Sequence, residues 1–282
     1  MSLLLAKKSL AFAAGLFAFW ANASIAFSEA EDCAPLKIDQ RVNVDLVYDG
    51  SAFLVGDAVV TLTGVHVPIT ARHLRAPQPL GKAVAQAVGE LVKRSHGKLN
   101  LEYDQLSSEK GRVLAHAYLG DGRNLALSLL ENGFALVNTQ LPNTLHSQCY
   151  RQAEARARAA KLGLWQFQDL GVPVVESKDI TGDRRGYQIV RGEIVSAEQK
   201  ARYFLLTMDR LSIRINHEAL KLFDVKKLLA LKGQTVEIRD EFTLYRDQMV
   251  ASLEHPGQID VLADDFYEQL AKRSKLNLGV KP

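Results

Sequence analysis

Residues Glu109–Val137 read EKGRVLAHAYLGDGRNLALSLLENGFALV. Within this stretch Val113–Leu119 alternates as a strand does, and Asp121-Gly122 supplies a turn. Leu125–Asn132 then carries apolar residues at helical spacing, and Gly133 stands where a helix end takes glycine. The neighbouring segments extend this pattern both ways. Upstream, Leu99–Tyr103 alternates as a partner strand across the polar turn Asp104–Arg112. Gly81–Arg94 places Ala83, Ala87, Val88, Leu91 and Val92 at helical spacing. Before it, Val42–Val47, Ala52–Val55 and Ala58–Leu62 predict a meander, with turn signals at Asp49-Gly50 and Gly56-Asp57. Downstream, Gln148–Leu162 reads as a longer helix, rich in Ala and Arg, with Gly163 as its stop. Strands that curl around a helix, with helices appended, predict a five-stranded Greek-key barrel of the oligonucleotide-binding (OB) type.

After Trp165 the pattern breaks. Residues 167–186 contain Pro173, glycines and mixed charge without a lasting period, and read as a linker. A second strand-rich unit follows over 187–263. Gln188–Ser196, Tyr203–Met208 and Leu211–Ile215 read as strands, Glu218–Leu231 as a helix, and Gln234–Arg239, Met249–Glu254 and Gln258–Leu262 as strands again. That order predicts a second small OB-like barrel, with a tail over 264–282. The fold class is therefore α+β, mainly β.

The N-terminus has its own signature. Lys7 and Lys8 precede the apolar run Leu10–Trp20, and small-residue patterns follow at Ala21-Asn22-Ala23 and Ser24-Ile25-Ala26. This describes a secretory signal peptide over 1–26, and hence an exported protein, periplasmic or extracellular. An N-terminal anchor is the alternative, disfavoured because the run is short for a membrane span. Removing the signal takes two of the 35 basic residues and none of the 32 acidic ones, leaving 33 against 32. A chain so close to neutral lacks the basic excess of proteins that hold nucleic acid by charge alone. In an exported protein the pair Cys33 and Cys149 suggests a disulfide tying the segment 27–40 to the start of a helix; two unpaired thiols are the alternative.

Over Val42–Trp165 the sequence resembles the staphylococcal-nuclease-like (thermonuclease) family. The positions that carry the resemblance are Gly111-Arg112, Asp121-Gly122, Asn124, Leu129-Leu130, Gly133, Ala135, Glu154, Ala155, Arg158, Gly163 and Trp165. Upstream, DGSAFLVGDAVVTLTGVHVP has the family's strand–turn–strand layout and QPLGKAVAQ its helix start. The resemblance implies a nuclease-like domain over 41–166, an OB-type barrel with flanking helices, and calcium-dependent hydrolysis of phosphodiester bonds. That reaction calls for carboxylates on a hard cation, a carboxylate to prepare water, and two arginines on the phosphoryl oxygens.

Mapped residue by residue, the implied set is largely missing. The family's Asp-Gly-Asp becomes Asp49-Gly50-Ser51, so Ser51 replaces a metal carboxylate. In Val60–Ile69, VTLTGVHVPI, Thr61 stands at the first arginine position, His66 at the second metal carboxylate and Ile69 at the catalytic glutamate. Arg112 alone retains its family residue, beside Asp49. Arg112 reads either as a phosphate-binding remnant or as a turn brace paired with Glu109 or with backbone carbonyls. His66 reads as a polar filler of a vacated pocket or as a transition-metal ligand, but no second histidine lies at ligand spacing, and His73 falls in a loop. Arg151, Arg156, Arg158 and Lys161 read as a solvated helix face. Tyr203 reads as sheet packing, with base stacking the alternative.

The resulting expectation is a bacterial pseudoenzyme with no cofactor and no transmembrane helix in the mature chain, serving as a binding or scaffold module. Its partner would be an envelope protein, a peptide, a glycan or a nucleic acid. The other expectation is a nuclease of weak or altered activity, with His66 as general base and Arg112 as phosphate clamp.

Overall fold

The computed structural model describes residues 33–70, 78–170, 173–182, 186–246 and 248–262. The expected signal segment 1–26, residues 27–32, His73 and the tail 264–282 lie outside the described residues. The chain is mainly β with few helices, consistent with an OB-like fold. Among the described residues no helix is long and apolar enough to cross a membrane.

The first sheet contains β1 (Gln40–Asn43), β2 (Leu46–Val47), β3 (Ala52–Val55), β4 (Ala58–Leu62), β6 (Lys98–Glu102), β7 (Ser108–Glu109) and β8 (Arg112–Tyr118). Its order is β1-β6-β8-β4-β3-β2, with β7 on β8. The single strand expected over Val42–Val47 is two strands, because the chain changes partner midway. β1 pairs with β6, and β2 pairs with β3. β4 runs parallel to β8, with Thr61 opposite Leu114 and Val59 opposite Arg112. Two short strands missed in the sequence, β5 (Gly64–His66) and β9 (Leu136–Asn138), form a separate antiparallel pair.

Helix α1 (Gly81–Arg94) buries Val84, Val88 and Val92, at i, i+4 and i+8. This stripe is rotated from the expected one; Ala83 is exposed. Helix α2 (Leu125–Glu131) starts where Asn124 Oδ1 accepts the Leu127 N–H at 3.0 Å. It ends at Gly133, whose φ is 67°. A Cβ on Gly133 would lie 2.2 Å from the Leu162 carbonyl oxygen, and one on Gly163 would lie 2.4 Å from the Gly133 oxygen. Only two glycines let the ends of α2 and α3 (Ser147–Ala159) meet backbone to backbone, where the Leu164 N–H donates to Gly133 O at 2.8 Å.

The second sheet contains β10 (Val174–Glu176), β11 (Gly186–Glu193), β12 (Ser196–Gln199), β13 (Tyr203–Met208), β14 (Leu211–Asn216), β15 (Thr235–Tyr245), β16 (Gln248–Ser252) and β17 (Ile259–Val261). Its order is β10-β11-β15-β16-β14-β13-β12, with β17 on β15. β10 arises inside the segment expected as a linker and pairs parallel with β11, burying Val174 and Val175. The helix expected over Glu218–Leu231 is two short helices, α4 (His217–Leu220) and α5 (Val225–Leu229). The break follows from Asp224, whose side chain caps α5 by accepting from the Lys226 and Lys227 N–H groups. Phe204, Leu206, Met208, Leu211, Ile213, Ile215, Val236, Ile238 and Phe242 form the core of this unit.

Candidate functional site

Of the positions that the resemblance marks, Asp49 and Ser51 lie in the turn before β3, Thr61 on β4, His66 on β5, Ile69 just after β5 and Arg112 at the start of β8. Asp49 is buried, and its Oδ1 accepts from the Ser51 N–H at 2.8 Å and from Ser51 Oγ at 2.9 Å. The turn thus closes on itself as an Asx-turn, with Ser51 as a local donor. Thr61 and Arg112 share one face of the parallel pair β4–β8, two positions apart in register. Thr61 Oγ1 is buried without a hydrogen-bond partner. Arg112 is exposed; Glu109 lies opposite it in register but forms its ion pair with Lys110 at 3.4 Å. The expected Arg112–Glu109 brace is therefore absent, and Arg112 makes no ion pair among the described residues.

His66 and Ile69 are held from outside the first sheet. The His66 ring stacks on Tyr187 of the second unit, with centroids 4.8 Å apart and planes inclined by 29°. Tyr187 is itself buried, and its hydroxyl donates to the Val137 carbonyl. Burial pushes the Tyr187 phenol well above its ordinary pKa. Ile69 is clamped by Gln78, which accepts its N–H through Oε1 at 2.9 Å and donates its own N–H to the Ile69 carbonyl at 3.0 Å. The lead-in to α1 thus fixes the position where the resemblance would put a catalytic carboxylate.

This donor set does not fit calcium. A calcium ion takes six to eight oxygens, usually several from carboxylates. Here the marked positions offer one carboxylate already bound by Ser51, an imidazole in a ring stack and the uncharged side chains of Ser51, Thr61 and Ile69. No hydrolytic step through such an ion follows from these residues.

Charge is concentrated elsewhere, at the seam between the two sheets. Helix α3 presents Arg151, Glu154 and Arg158 on one face, at i, i+3 and i+7. Arg158 donates both terminal nitrogens to Glu237 on β15, at 2.8 and 2.7 Å. Arg191 on β11 reaches the same carboxylate at 2.6 Å. Arg239 donates to Glu154 at 2.9 Å and to Asp260 at 3.3 Å, and Arg151 also pairs with Asp260. Glu154 in turn accepts the Val137 N–H at 2.8 Å. Glu237 is 0% exposed, Glu154 2% and Arg239 2%. Of the face expected to be solvated, Arg158 is buried and Arg151 half-buried at this seam, Arg156 is half-buried and pairs with Glu131 at 3.2 Å, and Lys161 is exposed. Leu136, Ala157, Leu164, Trp165, Val174, Tyr187 and Ile189 pack beside the network, and the Arg158 guanidinium lies 4.8 Å from the Trp165 ring centroid.

A second buried polar cluster was also missed in the sequence. Glu102, wholly buried, accepts from Tyr118 Oη and from the Leu36 N–H at 2.8 Å, and it contacts His146 Nε2 at 2.9 Å. Burial pushes the Glu102 carboxyl up, but these bonds outweigh it and hold the group below the usual range. His116 Nδ1 bonds Tyr150 Oη at 3.0 Å, and its Nε2 is buried without a partner. Burial and the neighbouring His146 push His116 down to about 4. Cys33 and Cys149 are joined beside this cluster by a disulfide, with Cα atoms 6.0 Å apart. The scattered histidines gave no sign of it, because they converge only through the pairing of β6 with β8 and the start of α3.

Compared with known proteins, residues 59–167 match the family described as Staphylococcal nuclease homologue. The segment is a staphylococcal nuclease homologue domain. The SPbeta prophage-derived endonuclease YokF of Bacillus subtilis (strain 168) is 30% identical over 141 residues, covering 48% of this chain and 45% of that protein. Endonuclease YncB of the same organism is 35% identical over 133 residues, covering 44% of this chain and 61% of that protein. The chain thus spans about half the length of these relatives. The nuclease homologue domain takes in β4, β5, β8, α2, α3 and the seam-facing residues of α3. β1 to β3 and the whole second sheet lie outside the match.

Proposed function

We propose that this is an exported protein whose nuclease homologue domain does not hydrolyse phosphodiesters and serves, locked to its second unit, as a binding or scaffold module. Each sheet closes into a small OB-type barrel in this reading. The observation that carries it is the state of the marked positions: Asp49 is bound to Ser51, Thr61 is uncharged, His66 is stacked on Tyr187, and Ile69 stands where water would need a base. Removing one base or one oxyanion donor costs orders of magnitude in rate, and several absences compound. The module needs no calcium. The exposed Arg112 on the β4–β8 face is left to contact an envelope protein, a peptide, a glycan or a nucleic acid.

A second reading rests on the relatives, which are named as endonucleases. In it the domain is a weak or altered nuclease, with His66 as general base and Arg112 as phosphate clamp. The deciding measurement is hydrolysis of single-stranded DNA by the protein, with calcium and with chelator. The expected result is no calcium-dependent cleavage. Cleavage that vanishes on chelation and in Arg112→Ala would overturn the proposal. Combining Ser51→Asp, Thr61→Arg, His66→Asp and Ile69→Glu should bring back some calcium-dependent cleavage, since the substitutions restore the ion's ligands and the base.

A further inference from the structure

The buried cluster beside the disulfide has the composition of a metal site. The ligand atoms of Cys33, Cys149 and His146 all lie within 4.8 Å of one another. His146 and Cys149 stand three residues apart at the start of α3, His146 with a left-handed φ of 62° as the residue before the helix. Cys33 is brought to them across 116 residues of sequence. His146 Nε2 is taken by Glu102 and Tyr118, which leaves Nδ1 as the ring nitrogen outside those bonds. A carboxylate on one ring nitrogen, fixing the ring so that the other faces a cation, is the usual support of a metal-bound histidine. Independently, the His116 ring stands edge-on to His146 at 4.8 Å, and its Nε2, on a residue 1% exposed, is one of the buried side-chain nitrogens without a partner among the described residues. A buried polar atom without a partner costs stability, and it sits beside this cluster.

We propose that reduction of the Cys33–Cys149 disulfide opens a site for a zinc-class cation, held by two cysteine thiolates and the His146 imidazole with water in the fourth position. The donor set is soft, as zinc prefers, and unlike the oxygen set that calcium takes. Thiolates at about 2.3 Å from a tetrahedral zinc stand roughly 3.8 Å apart, so the two sulfurs, bonded to each other in the disulfide, must separate on reduction to take the ion beside His146. The chemistry balances with a dithiol as the reductant. It gives two electrons and two protons, the S–S bond breaks to two thiols, and the dithiol is oxidised to its own disulfide. Zinc binding then releases both thiol protons to solvent. None of the positions marked by the nuclease resemblance takes part, so this inference stands or falls apart from the proposed function.

The test is titration of cobalt(II), then zinc, into the oxidised and the phosphine-reduced protein, with folding followed by circular dichroism. Expected is one equivalent bound only after reduction, with the sulfur-to-cobalt charge-transfer absorption of thiolate ligation, displaced by zinc. Cys33→Ser should abolish that absorption, and Glu102→Gln should weaken binding ~10- to 100-fold, as second-layer partners of ligating histidines do. Equal binding by the oxidised protein overturns the proposal, as does a reduced, folded protein without the charge-transfer band. So does unchanged affinity in His146→Ala. Should reduction unfold the chain, zinc must restore the fold; failure to do so also overturns it.

Discussion

Where α3 packs on β15 and β17 of the second sheet, arginines and carboxylates alternate between helix and sheet and each buried charge has a counter-charge. On and beside β4 and β5, the positions that the nuclease resemblance marks hold the hydroxyl of Thr61, the ring of His66 and the apolar chain of Ile69, and the marked Arg112 on β8 is exposed. Both regions belong to or border the same nuclease homologue domain. A catalytic site must keep charges poised and unsatisfied until substrate arrives, whereas a seam needs every charge satisfied in the folded chain. At the seam the buried charges are each paired across the two units, whereas the buried carboxylate at the marked positions, Asp49, is bound within its own turn.

The largest expected effect comes from breaking that seam. Glu237→Gln leaves Arg158 and Arg191 without their common carboxylate in a buried place. Removing one partner of a buried ion pair costs about 3–5 kcal/mol, to be read by chemical denaturation. A cost below about 1 kcal/mol would mean that water already reaches the network. An intermediate effect comes from Asp240, one residue beyond the seam arginine. Burial and the carboxylates of Glu254 and Glu241 raise its pKa to about 6, against the hydrogen bond from the Ser252 N–H. A raised folded pKa favours the protonated form in the folded chain, so this stability is present below about pH 4 and lost as pH rises to about 6. Asp240→Asn should therefore match the native melting temperature at pH 4 and exceed it by a few degrees at pH 7. Parallel melting curves across that range would show that Asp240 is solvated. The smallest effect is at Thr61. Its buried hydroxyl has no partner, so Thr61→Val should be neutral or stabilising by up to about 1 kcal/mol. A clear loss of stability there would reveal a hydrogen bond through water and a more polar groove than the structure holds.

How far the sequence could be read varied with the range of the interaction. β3, β4, β13 and β14 were legible because apolar and β-branched runs of four to six residues between turn signals are a local signal. Gly133 was legible as a helix stop; Gly163 was not α3's stop, since that helix ends at Ala159 with Lys161 left-handed after it, and neither glycine was legible as the contact that joins the two segments. The pair β5–β9 was not, since three-residue strands carry too few positions to show a period. The break after Phe223 was written in Asp224 and overlooked, because apolar spacing on both sides continued the helical pattern. At the marked positions, the residue types named the missing groups, but the ring stack of His66 on Tyr187 depends on a contact between the two units.

The sequence by itself determined the nuclease homologue segment, the order of most strands and helices, and the residue types at the positions that the resemblance marks. Each follows from residue type and short spacing. The tertiary structure alone decided that Arg158 meets Glu237 across 79 residues, that Arg239 meets Glu154 across 85, and that Cys33, His146 and Cys149 converge beside Glu102. A charge in a sequence carries no mark of its counter-charge. Whether an arginine on a helix is solvated or buried depends on which sheet packs against it, and that is set only when the apolar faces of the two units come together.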